Sequence, residues 1–401
     1  MTSEIKLLHI GARELLLDSF RLGRKVYETG FRPRHAVSIW RGGTPVGLGL
    51  DAYFRMQGLF INHTSIATAS YTGIDSRESV TVKGLEHLVK AVCAEDPLLI
   101  IDDVYESGNT IERIIELIRK GARANAPENI MVATLHHKPG RNLHPGRRVI
   151  SLKSIDEDVW IDYPHELSDL YEAAEKSDDL IIKKDPTIHE IINGGPYEPE
   201  IITTEKPFKF LTSNELLYDS FKLGVNIFND SEFFPDFIIA LWPGGVVTGL
   251  PVHEVFKYMI SKKGLEIKSP DHISINTSRH YQSYRANIIG MKYLEEKINK
   301  DHNVLVIDTT FRGGKLVNGV IENLKKTLKR NLSLNRIRVA SVYYNPNDRS
   351  TWITNPIIQK PHYYLKQVDC EIIYPQNIHK LNAPRQTLNN LDPEMAEIFF
   401  S

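Results

Sequence analysis

The chain repeats itself across about 200 residues, and that repeat constrains its fold more than any other feature. Glu14-Leu-Leu-Leu-Asp-Ser-Phe-Arg-Leu-Gly23 returns as Glu215-Leu-Leu-Tyr-Asp-Ser-Phe-Lys-Leu-Gly224, with eight of ten positions identical. Ile39-Trp-Arg-Gly-Gly43 returns as Leu241-Trp-Pro-Gly-Gly245, and Leu98-Leu-Ile-Ile-Asp102 as Val304-Leu-Val-Ile-Asp308. The three pairs lie 201, 202 and 206 residues apart, so order and spacing persist with small insertions. A period of that length is a whole domain, whereas solenoid repeats run about 20 to 50 residues.

With 401 residues, 41% hydrophobic and 25% charged, the chain has the usage of an ordinary globular protein and enough material for two cores. Its formal net charge of −1 gives no overall electrostatic case for nucleic acid or an anionic membrane as partner. Cys93 and Cys370 are the only cysteines, which excludes a disulfide framework and a cysteine-type zinc motif and makes a reducing cytoplasm the expected setting. No run approaches 18 apolar residues, and neither a signal peptide nor a membrane span is expected. Pro186, Gly194, Gly195, Pro196, Pro199 and Pro207 interrupt a polar stretch. The predicted boundaries are therefore a first domain over 1–185, a linker over 186–207 and a second domain over 208–401. Apolar strand candidates alternate with helical patterns in each half. They are Ala36–Ile39, Leu98–Ile101 and Ile130–Leu135, then Phe237–Ala240, Val304–Ile307 and Arg338–Tyr343. The expected class is α/β: two tandem domains, each a mainly parallel sheet flanked by helices, with ligands at the carboxyl ends of the strands.

One run carries the chemistry. Leu98–Ile101 reads as a buried parallel strand, and Ile111, Ile114, Ile115 and Ile118 recur at helical spacing with Thr110 as the expected cap. Between them stand Asp102, Asp103, Glu106 and the small-residue turn Ser107-Gly108-Asn109-Thr110. Backbone N–H groups at a helix start suit a phosphate, and two carboxylates at a strand end suit ribose hydroxyls or Mg²⁺. An ordinary strand–turn–helix crossover is the plainer alternative.

The run resembles the signature of type I phosphoribosyltransferases, with Glu106, Ser107 and Asn109 where that family has Asp, Thr and often Gly. From about His9 to Leu167 the first half is similar to the xanthine–guanine and hypoxanthine (6-oxopurine) type, with its elements in order. The resemblance makes Arg41-Gly42-Gly43 the pyrophosphate loop, with a non-proline cis bond expected before Gly42. It makes Ser70–Ser79 a closing loop, with Arg77 on the leaving group, against the plainer reading of a solvated loop. Lys138 then stands where a Lys-Pro donates to the purine 6-oxo group. Trp160 would stack on the base, with Ile161 and Asp162 offering backbone carbonyls nearby; a core tryptophan is the alternative. The adjacent histidines His136 and His137 point to opposite faces of a strand, and no metal is expected there.

The reaction so implied moves ribose 5-phosphate from phosphoribosyl pyrophosphate (PRPP) to a purine base in purine salvage, with pyrophosphate leaving. Glu106 would be the proton acceptor, Asp102 and Asp103 the Mg²⁺ and ribose ligands, and Arg41 the leaving-group contact. The second half departs from this pattern. Thr309 replaces the second acid, Arg312 stands at the base position, Pro243 replaces Arg41 and Asn345 replaces Lys138. It is expected to be a degenerate copy, acting as an internal dimerisation partner or an effector site, with homo-oligomerisation also open. A non-catalytic regulator that binds PRPP or a nucleotide is the rival reading. A PRPP synthetase would need an ATP-binding segment that the chain does not offer.

Overall fold

The structure, a computed structural model, describes residues 6–69, 81–195, 208–277, 291–347 and 355–401. The chain forms two compact units, residues 1–161 with 373–401 and residues 162–372. Each unit is built on an α/β sheet flanked by helices.

In the first unit six strands lie in the spatial order Thr81–Lys83, Asn62–Ala69, His35–Trp40, Leu98–Tyr105, Ile130–His137 and Val149–Ser154. All neighbours are parallel except the short first strand, which runs antiparallel to Asn62–Ala69. Leu98, Leu99, Ile100 and Ile101 are completely buried, as continuous apolar runs are in a sheet covered on both faces. On one face the helix Asn109–Ala122 seats Ile111, Ile114, Ile115 and Ile118 in a core with Val37, Ile39, Leu98 and Ile100. On the other, Ala12–Glu28 packs against Gly43–Met56.

The helix Pro393–Phe400 completes that second face. Phe399 packs edge-on to Phe20 at 4.9 Å and stacks on Tyr53 at 5.4 Å, while Arg13 forms a two-pronged pair with Asp392 at 3.0 Å and Arg21 reaches Glu394 at 2.6 Å.

The second unit carries five parallel strands in the order Asp271–Asn276, Phe237–Trp242, Val304–Arg312, Ile337–Asn345 and Tyr363–Gln367. Helices Ser213–Phe228 and Val246–Lys262 pack together, and Lys315–Leu328 lies over the core containing Ile239, Val306 and Val339. The short helices Ser168–Ala173 and Pro186–Ile192 also belong to this unit. The buried Glu254 carboxylate accepts from Leu167 N–H, Ser168 N–H and Ser168 Oγ at 3.2, 3.2 and 2.9 Å. The division therefore differs from the predicted boundaries. Residues 162–185 belong with the second unit, and 373–401 with the first. Residues 186–192 of the predicted linker are a helix capped by Asp185, whose carboxylate accepts from Thr187 and Ile188 N–H; Ile188, Ile191 and Ile192 are buried.

Candidate active site at the switch point of the first sheet

Taken in chain order, the five parallel strands of the first unit are arranged 2-1-3-4-5, so successive crossovers leave the first strand, His35–Trp40, in opposite directions. The crevice at the carboxyl ends of the first and third strands is where such sheets bind ligands. Arg41-Gly42-Gly43 follows the first strand there, and Asp102 and Asp103 end the apolar part of the third.

These two segments are in close contact. A β-carbon on Gly43 would lie 2.6 Å from the Ile101 carbonyl oxygen, so the turn needs glycine there, and one on Gly42 would lie 2.2 Å from Asp103 Oδ2 and displace that carboxylate. The cis bond is Trp40–Arg41, one residue earlier than the expected bond before Gly42. Helix Gly43–Met56 starts at this turn, and Thr44 donates from its backbone N–H and its hydroxyl to the Arg41 carbonyl at 3.1 and 2.6 Å. Burial pushes the Asp102 carboxyl well above the usual carboxylate range, and the Asp103 charge beside it adds to the shift. Burial also raises Asp103, against hydrogen bonds and the nearby Arg41. A cation at this pair would relieve both.

The chain then turns through Glu106, Ser107 and Gly108. Gly108 adopts φ +81° and is the residue before the helix, which starts at Asn109. The expected Thr110 cap is thus corrected: Thr110 lies within the first turn, and no side chain caps the helix. Ser107 Oγ accepts from Asn109 N–H at 3.3 Å. The remaining first-turn amides have no partner within the helix, as at any helix start.

The segment after the fourth strand is stitched along this turn. Lys138 N–H donates to the Tyr105 carbonyl at 2.9 Å, Leu143 N–H to the Ser107 carbonyl at 3.1 Å, and His144 Nε2 bonds Asn109 Oδ1 at 2.9 Å. Arg147 binds Glu112 with two bonds of 2.6 Å. Within this frame Lys138 Nζ, nearly buried, donates to Glu106 Oε1 at 2.5 Å, and Arg141 donates to Glu106 Oε2 at 3.3 Å. Burial alone would raise Glu106, but the two cations outweigh it and hold the carboxyl below its ordinary value. Arg141 is absent from the sequence-predicted site. The spacing Lys138-Pro-Gly-Arg141 was the available signal, since a tight Pro-Gly turn brings the fourth residue back beside the first.

The other predicted residues divide. Trp160 is half-buried on the strand Val159–Asp162, which pairs with Lys6–His9, and Ile161 is buried. The Asp162 side chain is committed elsewhere: Lys184 Nζ, itself buried, donates to it at 2.9 Å, as well as to the Tyr163 and Glu166 carbonyls, all within the second unit. Arg77 lies outside the described residues. His136 is buried and its pKa is lowered to about 4 by that burial, and no group of three metal-binding side chains occurs among the described residues. Beside Lys138, Pro139 and Gly140 face Ile155–Asp158 across an open cleft of about 280 Å³.

In the second unit Asp308 keeps its place, accepting from Thr309 N–H at 2.8 Å, and burial lifts its carboxyl to about 6. Thr309 is buried, donating to the Gly244 carbonyl at 2.5 Å. Asn345, paired in register with Arg312, donates to the Cys370 carbonyl at 3.2 Å.

No known protein family's profile matches the chain, and no curated protein matches it. Solved structures do. A Neisseria gonorrhoeae protein solved with bound ppGpp is 18% identical, covering 44% of this chain and 98% of its own, with a TM-score of 0.35. A Pyrococcus horikoshii purine phosphoribosyltransferase is 18% identical over 42% of this chain and 94% of its own, at 0.30. The Helicobacter pylori xanthine-guanine-hypoxanthine phosphoribosyltransferase is 18% identical over 43% and 99%, at 0.32. These proteins are similar to somewhat less than half of this chain, and the similarity is one of fold.

Proposed function

We propose that the first unit is a purine phosphoribosyltransferase acting on 6-oxopurines. One observation carries this reading: the switch point of a single sheet gathers a Gly-Gly turn, two carboxylates, a helix that starts after a left-handed glycine and an ion-paired Glu106 and Lys138. The backbone amides from Ser107 to Thr110, in the turn and at the helix start, would take the 5′-phosphate. Asp102 and Asp103 would hold ribose hydroxyls, and Arg41 with the amides of Gly42 and Gly43 the pyrophosphate.

The donor set also fits Mg²⁺. Two carboxylates with raised proton affinity are hard oxygen ligands, and Mg²⁺ is commonly held by one or two carboxylates together with substrate phosphates. When bound it would neutralise charge on the leaving pyrophosphate. The chain's own residues do the rest. Lys138 offers three donors and no acceptor, so it reads an oxo group and not an amino group. Glu106, ionised, accepts a proton from a ring nitrogen, and Trp160 offers a flat apolar face for the base.

Pyrophosphate release from PRPP and Mg²⁺ against hypoxanthine, guanine, xanthine, adenine, uracil and orotate tests the proposal. Turnover confined to the 6-oxopurines is expected. Binding of PRPP without turnover of any base would instead favour the regulator, a reading to which the occupation of both Glu106 oxygens by cations lends weight.

A further inference from the structure

Glu106 is one methylene longer than aspartate, which carries its carboxylate about 1.5 Å further from the backbone. With that reach it meets two cations at once: Lys138 on Oε1 at 2.5 Å and Arg141 on Oε2 at 3.3 Å. These are the only charged side chains in contact with Glu106 among the described residues. The three differ in exposure. Lys138 is 7% exposed and, as a nearly buried ammonium, needs a counter-ion; Glu106 is 37% and Arg141 48% exposed. Arg141 also has a fixed origin. It ends the single turn Pro139–Arg141, its own N–H bonds the Lys138 carbonyl at 3.1 Å, and the chain is tied to the Tyr105 and Ser107 carbonyls before and after it.

We propose that Arg141 is a positioning residue for Glu106, holding its carboxylate against Lys138 so that proton acceptor and base-reading lysine form a closed pair which an incoming 6-oxopurine must open. This rests on the transferase reading above. Opening is an exchange of hydrogen bonds. Lys138 leaves Oε1 for the 6-oxo oxygen, the purine ring N–H takes its place on Oε1, and Arg141 keeps Oε2 throughout. The proton of that imidazole nitrogen then passes to Oε1 while the lone pair of the other imidazole nitrogen forms the new bond to the ribose carbon, from which pyrophosphate departs with the electrons of its C–O bond. A base with a 6-amino group puts a donor where Lys138 needs an acceptor, so for it the closed pair would have to break without that replacement. In this account the pair discriminates against adenine as well as storing the site in an ordered state.

The test uses the full chain with Arg141→Ala, Arg141→Lys and Glu106→Gln. The first readout is the side-chain carboxyl carbon resonance of Glu106 in glutamate-labelled protein, assigned by its loss in Glu106→Gln. Its titration midpoint should lie below the ordinary glutamate range in the parent, move upward in Arg141→Ala and return in Arg141→Lys. The second is the pH profile of kcat/KM for hypoxanthine, whose acid limb should move to higher pH in Arg141→Ala and back in Arg141→Lys. A Glu106 midpoint unmoved by Arg141→Ala overturns the proposal, whatever the turnover. A parent chain inert toward every 6-oxopurine, with Glu106 displaced as described, overturns the transferase reading and leaves the hold of Arg141 on Glu106 standing.

Discussion

The two units share a frame and differ in the charges hung on it. Each has a cis bond after the tryptophan that ends its first parallel strand, at Trp40–Arg41 and Trp242–Pro243, and a glycine pair pressed against the next strand's end. Both start the following helix after a left-handed glycine, Gly108 at φ +81° and Gly314 at +69°. Ser19 and Ser220 each donate to the carbonyl four residues back at 2.6 Å. On this shared frame the first unit carries Arg41, Asp103, Glu106 and Lys138, and the second carries Pro243, Thr309, Arg312 and Asn345. Thr309 turns inward to the Gly244 carbonyl, a neutral contact where the first unit sets a carboxylate. The same frame therefore carries two different sets of side chains at the place where such sheets bind ligands, and function has to be argued from those side chains and not from the frame.

Exchanging those side chains should have the largest effect. Glu106→Arg with Lys138→Asn gives the first unit the second unit's residues and should lower purine turnover on the order of 10²- to 10⁴-fold, the usual weight of a proton acceptor. Arg312→Glu with Asn345→Lys should leave turnover as it is. Steady-state rates on both double variants, with circular dichroism to confirm folding, decide it.

Next in size is the C-terminal helix. Phe399 is 5% exposed between Phe20 and Tyr53, and Phe399→Ala should cost the first unit about 3 to 5 kcal/mol in a denaturant melt. If deleting residues 373–401 left the melt of the first unit unchanged, that segment would be no part of it.

Acid should strain the first unit through two buried histidines. Burial lowers His63 to about 3 and His136 to about 4, both below the unfolded value of 6.5. Between those values the unfolded chain binds protons that the folded one refuses, so stability falls as pH drops below about 6.5, by up to about 1.4 kcal/mol per pH unit for each histidine. At the position of His136 the second unit has Tyr343, whose hydroxyl donates to Asp219 at 2.7 Å. Thermal melts of His136→Tyr across pH 7 to 5 should show a shallower loss than the parent.

The smallest contrast is between two lysines at matching places. Lys366, 7% exposed, pairs with the fully buried Asp219 at 2.8 Å, while Lys153, 39% exposed, pairs at 2.7 Å with Asp18, which is also buried but keeps Arg21 at 2.8 Å. Lys366→Met should cost about 3 kcal/mol and Lys153→Met about 1 kcal/mol or less. Equal losses would remove the distinction.

Local pattern made much of this legible. The isoleucine stripe of helix Asn109–Ala122, the apolar runs at Leu98 and Val304 and the Gly-Gly turns each carry their structure within a few residues. What sequence hid was long-range. Nothing near Phe399 says that it packs on Phe20, and nothing near Asp162 says that Lys184 claims its carboxylate. Thr110 has a residue type that favours the cap, but the cap is Gly108 with its positive φ, and the helix starts two residues earlier than a Thr110 cap would place it. Arg141 was missed because its meaning depends on the reach of Glu106, a contact 35 residues apart in the chain.

The most direct test of the central claim is pyrophosphate release from PRPP, Mg²⁺ and hypoxanthine by the full chain beside Asp103→Thr and Asp308→Asn. Turnover is expected from the parent and from Asp308→Asn, with loss in Asp103→Thr, the change that makes the first unit's carboxylate pair resemble the second's. Turnover that survives Asp103→Thr and disappears in Asp308→Asn would put the active site in the other unit and contradict the account.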